Sequence, residues 1–160
     1  TNKQNPLEIV KKKKHQKIPN EPIKNLVFTS AGDKTNFHNL WIGDNQQYDV
    51  MVVYYGKNDS TYKNYSKKAD YILKRKGSKF QNFHYIYENY PEIINKYDRF
   101  FILDDDIIFS TDDINEMFSI SKIEVTIIEF QSRKYQIGIT INSSCNGRLE
   151  EISVVYLMVI

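Results

Sequence analysis

The chain has 160 residues, of which 41% are hydrophobic and 26% are charged, so we expect one domain with a substantial core. A single cysteine, Cys145, excludes an internal disulfide bond and is typical of a reducing compartment, which favours a cytoplasmic protein. No signal peptide is visible, and the longest apolar run, 154–160, is too short to cross a bilayer, so no membrane span is expected.

The net charge of +2 is unevenly distributed along the chain. Residues 1–24 contain seven lysines, four of them consecutive at 11–14, against two glutamates, together with three prolines. Such a segment cannot bury a core, so we predict a basic flexible arm at 1–24. The remaining chain carries more acidic than basic residues, so no nucleic-acid partner is expected.

Four short runs rich in branched and aromatic residues are predicted strands, at 24–29, 48–55, 69–73 and 100–103. The first is followed by a turn of small and polar residues at 30–36, which we interpret as a loop.

The segments between these strands include residues with the spacing of helices. Residues 37–42 are expected to pack on the sheet, and 61–68 carry no clear pattern. Ser78 and Gln81 fit a capping box that begins a helix. Its expected buried face contains residues spaced i, i+3, i+4 and i+7, namely Phe80, Phe83, His84 and Tyr87. Pro91 suits the first turn of another short helix, which leads into the fourth strand.

Strands that alternate with helices indicate an α/β fold with a mostly parallel sheet. Parallel strands all end at the same edge, where open α/β sheets bind ligands. The predicted strand ends lie near Gly32, Gly56, Gly77 and Asp104. We therefore expect three groups to converge on one nucleotide diphosphate: Asp33, Lys79 and the carboxylates of 104–106.

Three consecutive carboxylates, Asp104, Asp105 and Asp106, follow the fourth strand. Their mutual repulsion favours a divalent cation, and carboxylate oxygens suit Mg²⁺ or Mn²⁺. In a continued strand Asp104 and Asp106 would point to one side and bind the metal, with Asp105 on the other. The alternative is a solvated acidic turn before a helix predicted at 112–120.

The C-terminal part differs in character. Residues 123–130 and 135–141 alternate in polarity, and 152–160 favour β-structure, which predicts two or three strands, able to pair antiparallel, with a turn at 146–147. We expect an α/β domain at 25–122 and a β-rich tail of the same domain at 123–160.

Four blocks, at 29–37, 48–56, 76–82 and 97–107, resemble in that order a glycosyltransferase-like family found in large DNA viruses, bacteria and plants and related to enzymes of the GT-A fold. The resemblance covers about residues 25–120. It implies a Rossmann-like, mostly parallel sheet that forms a nucleotide-sugar-binding half, and a Mn²⁺ or Mg²⁺ cofactor. It also implies a host-cytoplasmic location if the protein is viral.

The resemblance implies roles for particular residues. Asp106 matches the metal and diphosphate ligand of the Asp-x-Asp motif, and Asp104 matches the carboxylate that faces the ribose or the metal. The loop that borders the nucleotide base corresponds to Thr29, Ser30, Ala31, Gly32 and Asp33. Lys79 and Asp105 complete the expected donor site. No catalytic residue is assigned, and Glu124, Glu129, Glu150 and Glu151 are all candidates for a base.

The activity implied is hexosyl or deoxyhexosyl transfer from a nucleotide-diphosphate sugar to a hydroxyl of a glycan or protein. The short chain after Asp106 favours a second hypothesis, a catalytically inactive nucleotide-sugar-binding remnant or interaction module. A phosphohydrolase with an aspartate nucleophile is a third, but Ile108 stands where that class has Thr or Val. A calcium loop is excluded because Phe109 occupies the position that requires Gly.

Overall fold

The computed structural model describes residues 7–9, 23–124, 137–139, 144–145, 148–149 and 155–159. Nine strands and five helices lie within these residues. The strands are β1 (Glu8–Ile9), β2 (Asn25–Ala31), β3 (Asp49–Tyr54), β4 (Tyr71–Lys74), β5 (Arg99–Asp104), β6 (Ile137–Ile139), β7 (Ser144–Cys145), β8 (Arg148–Leu149) and β9 (Val155–Val159). The helices are α1 (Phe37–Leu40), α2 (Asp59–Ser66), α3 (Lys79–Asn89), α4 (Pro91–Ile94) and α5 (Thr111–Glu124).

The described strands of the main sheet follow the order β1-β4-β3-β2-β5-β9-β6. The four central strands β4, β3, β2 and β5 are parallel, which confirms the predicted α/β fold and its parallel core. β9 pairs antiparallel with β5, and β6 pairs antiparallel with β9. The antiparallel pairing considered for the C-terminal strands is therefore confirmed for these two. The turn predicted at 146–147 lies outside the described residues.

Both faces of the central sheet are covered. The strands are almost continuously apolar, as expected for a sheet with helices on each side. On one face, side chains such as Val27, Val52 and Phe101 pack with residues from the α1 and α2 regions and from α5. On the other face, Phe28 and Phe100 pack with residues of α3 and α4. Because both faces of the central sheet are buried, the part of it that a ligand can reach lies at the ends of its strands.

The capping box predicted at the start of α3 is confirmed. The Ser78 hydroxyl accepts a hydrogen bond from the Gln81 amide, and the Gln81 side chain accepts one from the Ser78 amide. Pro91 occupies the first turn of α4, as predicted. α2 forms where the sequence carried no clear pattern, and the Asn58 side chain caps it by accepting hydrogen bonds from two backbone amides.

The predicted buried face of α3 is wrong in part. The buried residues of this helix are Asn82, Phe83 and Ile86, whereas Phe80 and His84 are exposed. His84 lies 3.4 Å from Glu88 on the outer surface. Asn82 is buried because its polar atoms bond to Ser30, Gly77 and Arg75, and a buried polar residue breaks the apolar pattern on which the prediction relied.

Two predicted boundaries are also corrected. α5 continues to Glu124, so the first two residues of the strand predicted at 123–130 are helical, and residues 125–130 lie outside the described residues. Within the predicted flexible arm, Glu8 and Ile9 pair antiparallel with β4. The edge of β4 offers unpaired backbone groups that any extended segment can satisfy, whatever its composition.

We expect Ser78→Ala to lower the free energy of unfolding by about 1 kcal/mol, because the cap of α3 is lost. The measurement is chemical denaturation followed by circular dichroism. Ser119→Ala, at an exposed position inside α5, is the matched control and is expected to cause no loss. An equal effect of both substitutions would contradict the capping role.

Candidate functional site at the strand ends

The order in which the chain adds strands to the sheet reverses at β2. From β2 the chain proceeds to β3 and then β4 on one side, and it next returns to β5 on the other side of β2. The loops that leave β2 and β5 lead to helices on the same face of the sheet and lie side by side at the carboxyl ends of these strands, the end at which open α/β sheets bind ligands. We call this region the switch-point crevice and define it by residues 31–36 and 104–107.

The two loops of the switch-point crevice are joined by hydrogen bonds to backbone carbonyls. The Asn36 amide and the Thr35 hydroxyl both donate to the Asp105 carbonyl, at 2.8 and 2.7 Å. The Asn36 side chain donates to the Asp106 carbonyl at 2.6 Å. The acidic turn is thus held through its backbone, which leaves the orientation of its carboxylates to other contacts.

The three carboxylates have three different environments. Asp104 is the last residue of β5 and forms an ion pair with Lys79. The Asp105 carboxylate accepts a hydrogen bond of 2.9 Å from the Gly32 amide. Asp106 is exposed. The alternation expected to place Asp104 and Asp106 on one side does not extend this far, because β5 ends at Asp104 and residues 105–106 form a turn.

The Asp105 carboxylate is half-buried and has a raised pKa. Burial raises its pKa above the ordinary value, and repulsion from Asp106 and Asp104 adds to this effect, while the hydrogen bond from Gly32 opposes it. Its contact with Gly32 joins the ends of β2 and β5, so Asp105 shapes the crevice from within.

Only part of the loop predicted at 29–33 lies in the switch-point crevice. Thr29, Ser30 and Ala31 belong to β2 and are buried, because this strand pairs on both sides nearly to its end. The Ser30 hydroxyl accepts a hydrogen bond of 2.9 Å from the Asn82 side chain. The strand position predicted for Thr29 is confirmed, whereas the turn predicted to begin at Ser30 begins only at Gly32, so the loop position of Ser30 and Ala31 is wrong.

Asp33 is exposed and is engaged with the start of α2. Its carboxylate accepts a hydrogen bond from the Tyr54 hydroxyl and a longer one, 3.4 Å, from the Asn58 amide. The bond from Tyr54 lowers the pKa of Asp33, and burial together with this bond raises the pKa of Tyr54 to about 12. The Tyr65 hydroxyl donates to the Asp33 carbonyl at 3.2 Å. Asp33 thus anchors the loop after β2 to its neighbours.

Tyr55 is a residue of the site that the sequence did not indicate. Its side chain is 43% exposed and lies over Gly32, where a Cβ atom added to the glycine would stand 2.9 Å from the Tyr55 hydroxyl oxygen. Burial raises the pKa of Tyr55, and the negative charges of Asp105, Asp106 and Asp33 raise it further. Glycine at position 32 therefore lets an aromatic ring form a wall of the crevice beside the carboxylates.

Asn82 and its hydrogen-bond partners form a second group that the sequence did not indicate, and they hold the end of β4 beside the crevice. Asn82 is fully buried, donates to Ser30 and to the Gly77 carbonyl, and accepts a hydrogen bond from Arg75. The Arg75 guanidinium also lies 4.5 Å from the Tyr85 ring centre. Gly77 has φ of +151°, and a Cβ there would lie 2.6 Å from the Asn82 side chain. The sequence signal that could have indicated this close contact was the glycine directly before the capping box.

The carboxylates of the acidic turn are oxygen groups of the type that binds Mg²⁺ or Mn²⁺. Among the described residues, no group of three or more His, Cys, Asp or Glu side chains is arranged to hold a metal ion. Mg²⁺ is commonly bound by one or two carboxylates that share it with substrate phosphates, so Asp106 and Asp104 suffice in number. A cation already faces Asp104, since the Lys79 ammonium is bound there.

In the part of the chain that the structure describes, no helix has the length and apolar character needed to cross a membrane.

Comparison with known proteins adds no assignment. No protein-family model, curated protein or solved structure matches the chain. Any functional assignment therefore depends on the fold, on the position of the crevice and on the chemistry of its residues.

We expect Asp105→Asn to raise the free energy of unfolding at pH 7 by an amount on the order of 1 kcal/mol, because it removes a disfavoured charge and keeps an acceptor for Gly32. The folded-state pKa of Asp105 is raised above 3.8, so the folded state gains from protonation and the charge costs stability only as pH rises. The advantage should disappear below that pH. Denaturation curves at pH 7 and pH 3 measure it, and a stabilisation that persists in acid would contradict the charge explanation.

Proposed function

We propose that this protein is a metal-dependent glycosyltransferase that binds a nucleotide-diphosphate sugar in the switch-point crevice and transfers the sugar to a hydroxyl of a glycan or protein. The observation that supports it is the meeting of the acidic turn with the Gly32 loop at the reversal point of a parallel sheet covered on both faces. A small-residue loop and carboxylates at this place suit a diphosphate that carries a divalent cation.

The four blocks that resemble the GT-A family are compatible with this assignment. The blocks at 29–37, 48–56, 76–82 and 97–107 each contain the carboxyl end of a central strand or the loop that follows it. Because these strands are parallel, all four blocks reach one edge of the sheet. We accordingly propose a Rossmann-like fold of the GT-A type for residues 25–122.

The roles we propose follow from exposure and contacts. Asp106, which is exposed, and Asp104 would hold Mn²⁺ or Mg²⁺ together with the diphosphate. When bound, the metal stabilises the negative charge that develops on the leaving diphosphate. Lys79 contributes positive charge from the other wall of the crevice, and Gly32, Asp33 and Asp105 hold the donor loop in place. Thr29, Ser30 and Ala31 support that loop from inside β2.

A second candidate function is nucleotide-sugar binding without turnover. It is favoured by the ion pair between Lys79 and Asp104, because this pair already neutralises one of the two carboxylates proposed for the metal. A binding module needs charge balance at the diphosphate, but it does not need a group that activates the acceptor.

Calorimetric titration with UDP, GDP and their sugars, with and without Mn²⁺, tests the donor site. We expect one nucleotide to bind in a metal-dependent manner, and Asp106→Asn to weaken that binding at least about tenfold, or ~1.4 kcal/mol. Asp98→Asn is the matched control, since Asp98 precedes β5 at the opposite end of the sheet and is exposed. It should bind as the unaltered protein does.

Failure of every nucleotide to bind would reject both candidates. Metal-dependent binding without sugar release or transfer would favour the binding module. Equal losses in Asp106→Asn and Asp98→Asn would show that the acidic turn has no particular part in the site.

A further inference from the structure

We propose that Lys79 is an internal cation that occupies Asp104 in the ligand-free protein and excludes a divalent metal until an anionic ligand draws the lysine away. The competition between Lys79 and the metal follows from the ion pair itself. The divalent metal and the identity of the anion, a diphosphate, both rest on the function proposed above. The chain would then bind metal and diphosphate together in preference to either alone.

The position of the ion pair favours this exchange. Lys79 is the first residue of α3, and Asp104 is the last residue of β5. The lysine side chain is 14% exposed, whereas that of Asp104 is 41% exposed. The ammonium thus lies against the wall of the crevice, and the carboxylate that it neutralises is open to an incoming ion.

The charges around the turn explain why a cation is needed there. Asp104, Asp105 and Asp106 are consecutive, and Asp105 already has a raised cost of ionisation through burial and through its two neighbours. Lys74 is paired with Asp59 at 2.6 Å, and Arg75 is bonded to Asn82. Within the residues that the structure describes, Lys79 is the cation that forms an ion pair with the triplet.

Lysine suits a role in which it changes partners. Its ammonium is a compact charge on a flexible stem of four carbons, so it can leave a carboxylate for a phosphate without movement of the backbone. The start of α3 is also the positive end of the helix dipole, which favours an anion near position 79. After the exchange, Asp104 faces the metal and Lys79 faces phosphate, so every charge keeps a partner.

The exchange predicts a particular coupling between two ligands. A metal alone must displace Lys79 and leave it without its carboxylate, so it binds weakly. A metal that arrives with a diphosphate provides the lysine with a new partner, so each ligand increases the affinity for the other. Removal of the lysine charge should tighten metal binding, weaken diphosphate binding and reduce this coupling.

The first experiment measures Mn²⁺ binding alone by calorimetry and electron paramagnetic resonance. We expect Lys79→Met to bind Mn²⁺ about tenfold more tightly than the unaltered protein, or ~1.4 kcal/mol. Lys79→Arg keeps the positive charge and should not show this gain. Lys74→Met is the matched control, because it removes a lysine that is also paired with an aspartate at the same edge of the sheet but does not touch the triplet.

A second measurement uses the unaltered protein and does not depend on how Lys79→Met folds. The side-chain ammonium resonances of the lysines are followed by NMR during titration with Mg²⁺ and then with Mg²⁺ plus UDP or GDP. We expect the Lys79 signal to stay in place with Mg²⁺ alone, because the lysine excludes the metal, and to shift when Mg²⁺ and the nucleotide are both present. The Lys74 signal should not shift in either case.

The outcomes separate this inference from the proposed function. An unchanged Mn²⁺ affinity in folded Lys79→Met, or a Lys79 signal that does not move when Mg²⁺ and a nucleotide are bound together, overturns the inference even if a nucleotide binds with metal. Tighter Mn²⁺ binding in Lys79→Met, with no nucleotide bound by any variant, supports the competition and rejects the proposed function.

Discussion

The parallel pairing of β2 with both β3 and β5 is the constraint on which the rest of this structure depends. It buries every residue of β2 and forces the helices that connect the strands onto both faces of the sheet. It also places the loop after β2 directly beside the turn after β5. The contact between Gly32 and Asp105, and the bonds from Thr35 and Asn36, are consequences of that adjacency.

The charges of the acidic turn are balanced by residues that are distant in sequence. Lys79 begins α3, and Gly32 follows β2, yet each contacts a different carboxylate of the triplet. Concentrating negative charge at one edge raises the cost of ionisation for the half-buried member, Asp105. The arrangement leaves Asp106 exposed and Asp104 in an ion pair with Lys79. The acidic turn therefore differs from a surface turn that solvent alone stabilises.

Local patterns predicted those elements whose formation depends on nearby residues. The four central strands, the capping box of Ser78 and the position of Pro91 all follow from side chains within a few positions of each other. Sequence patterns failed where a distant partner decided the outcome. Asn82 is buried because Ser30, Gly77 and Arg75 satisfy its polar atoms, and Glu8 and Ile9 join the sheet because β4 has an open edge. Such partners leave no periodic signal near the residue itself.

The sequence alone determined that strands alternate with helices and that three carboxylates follow a buried strand, since both depend on the order of residues along the chain. It also indicated that Asp33, Lys79 and the triplet would reach one edge of the sheet. Only the tertiary structure decided which carboxylate meets which partner, that β2 extends through Ala31, and that Tyr55 covers Gly32. The reason is physical: parallel topology specifies the edge at which a side chain emerges, whereas its direction and partner depend on packing between distant segments.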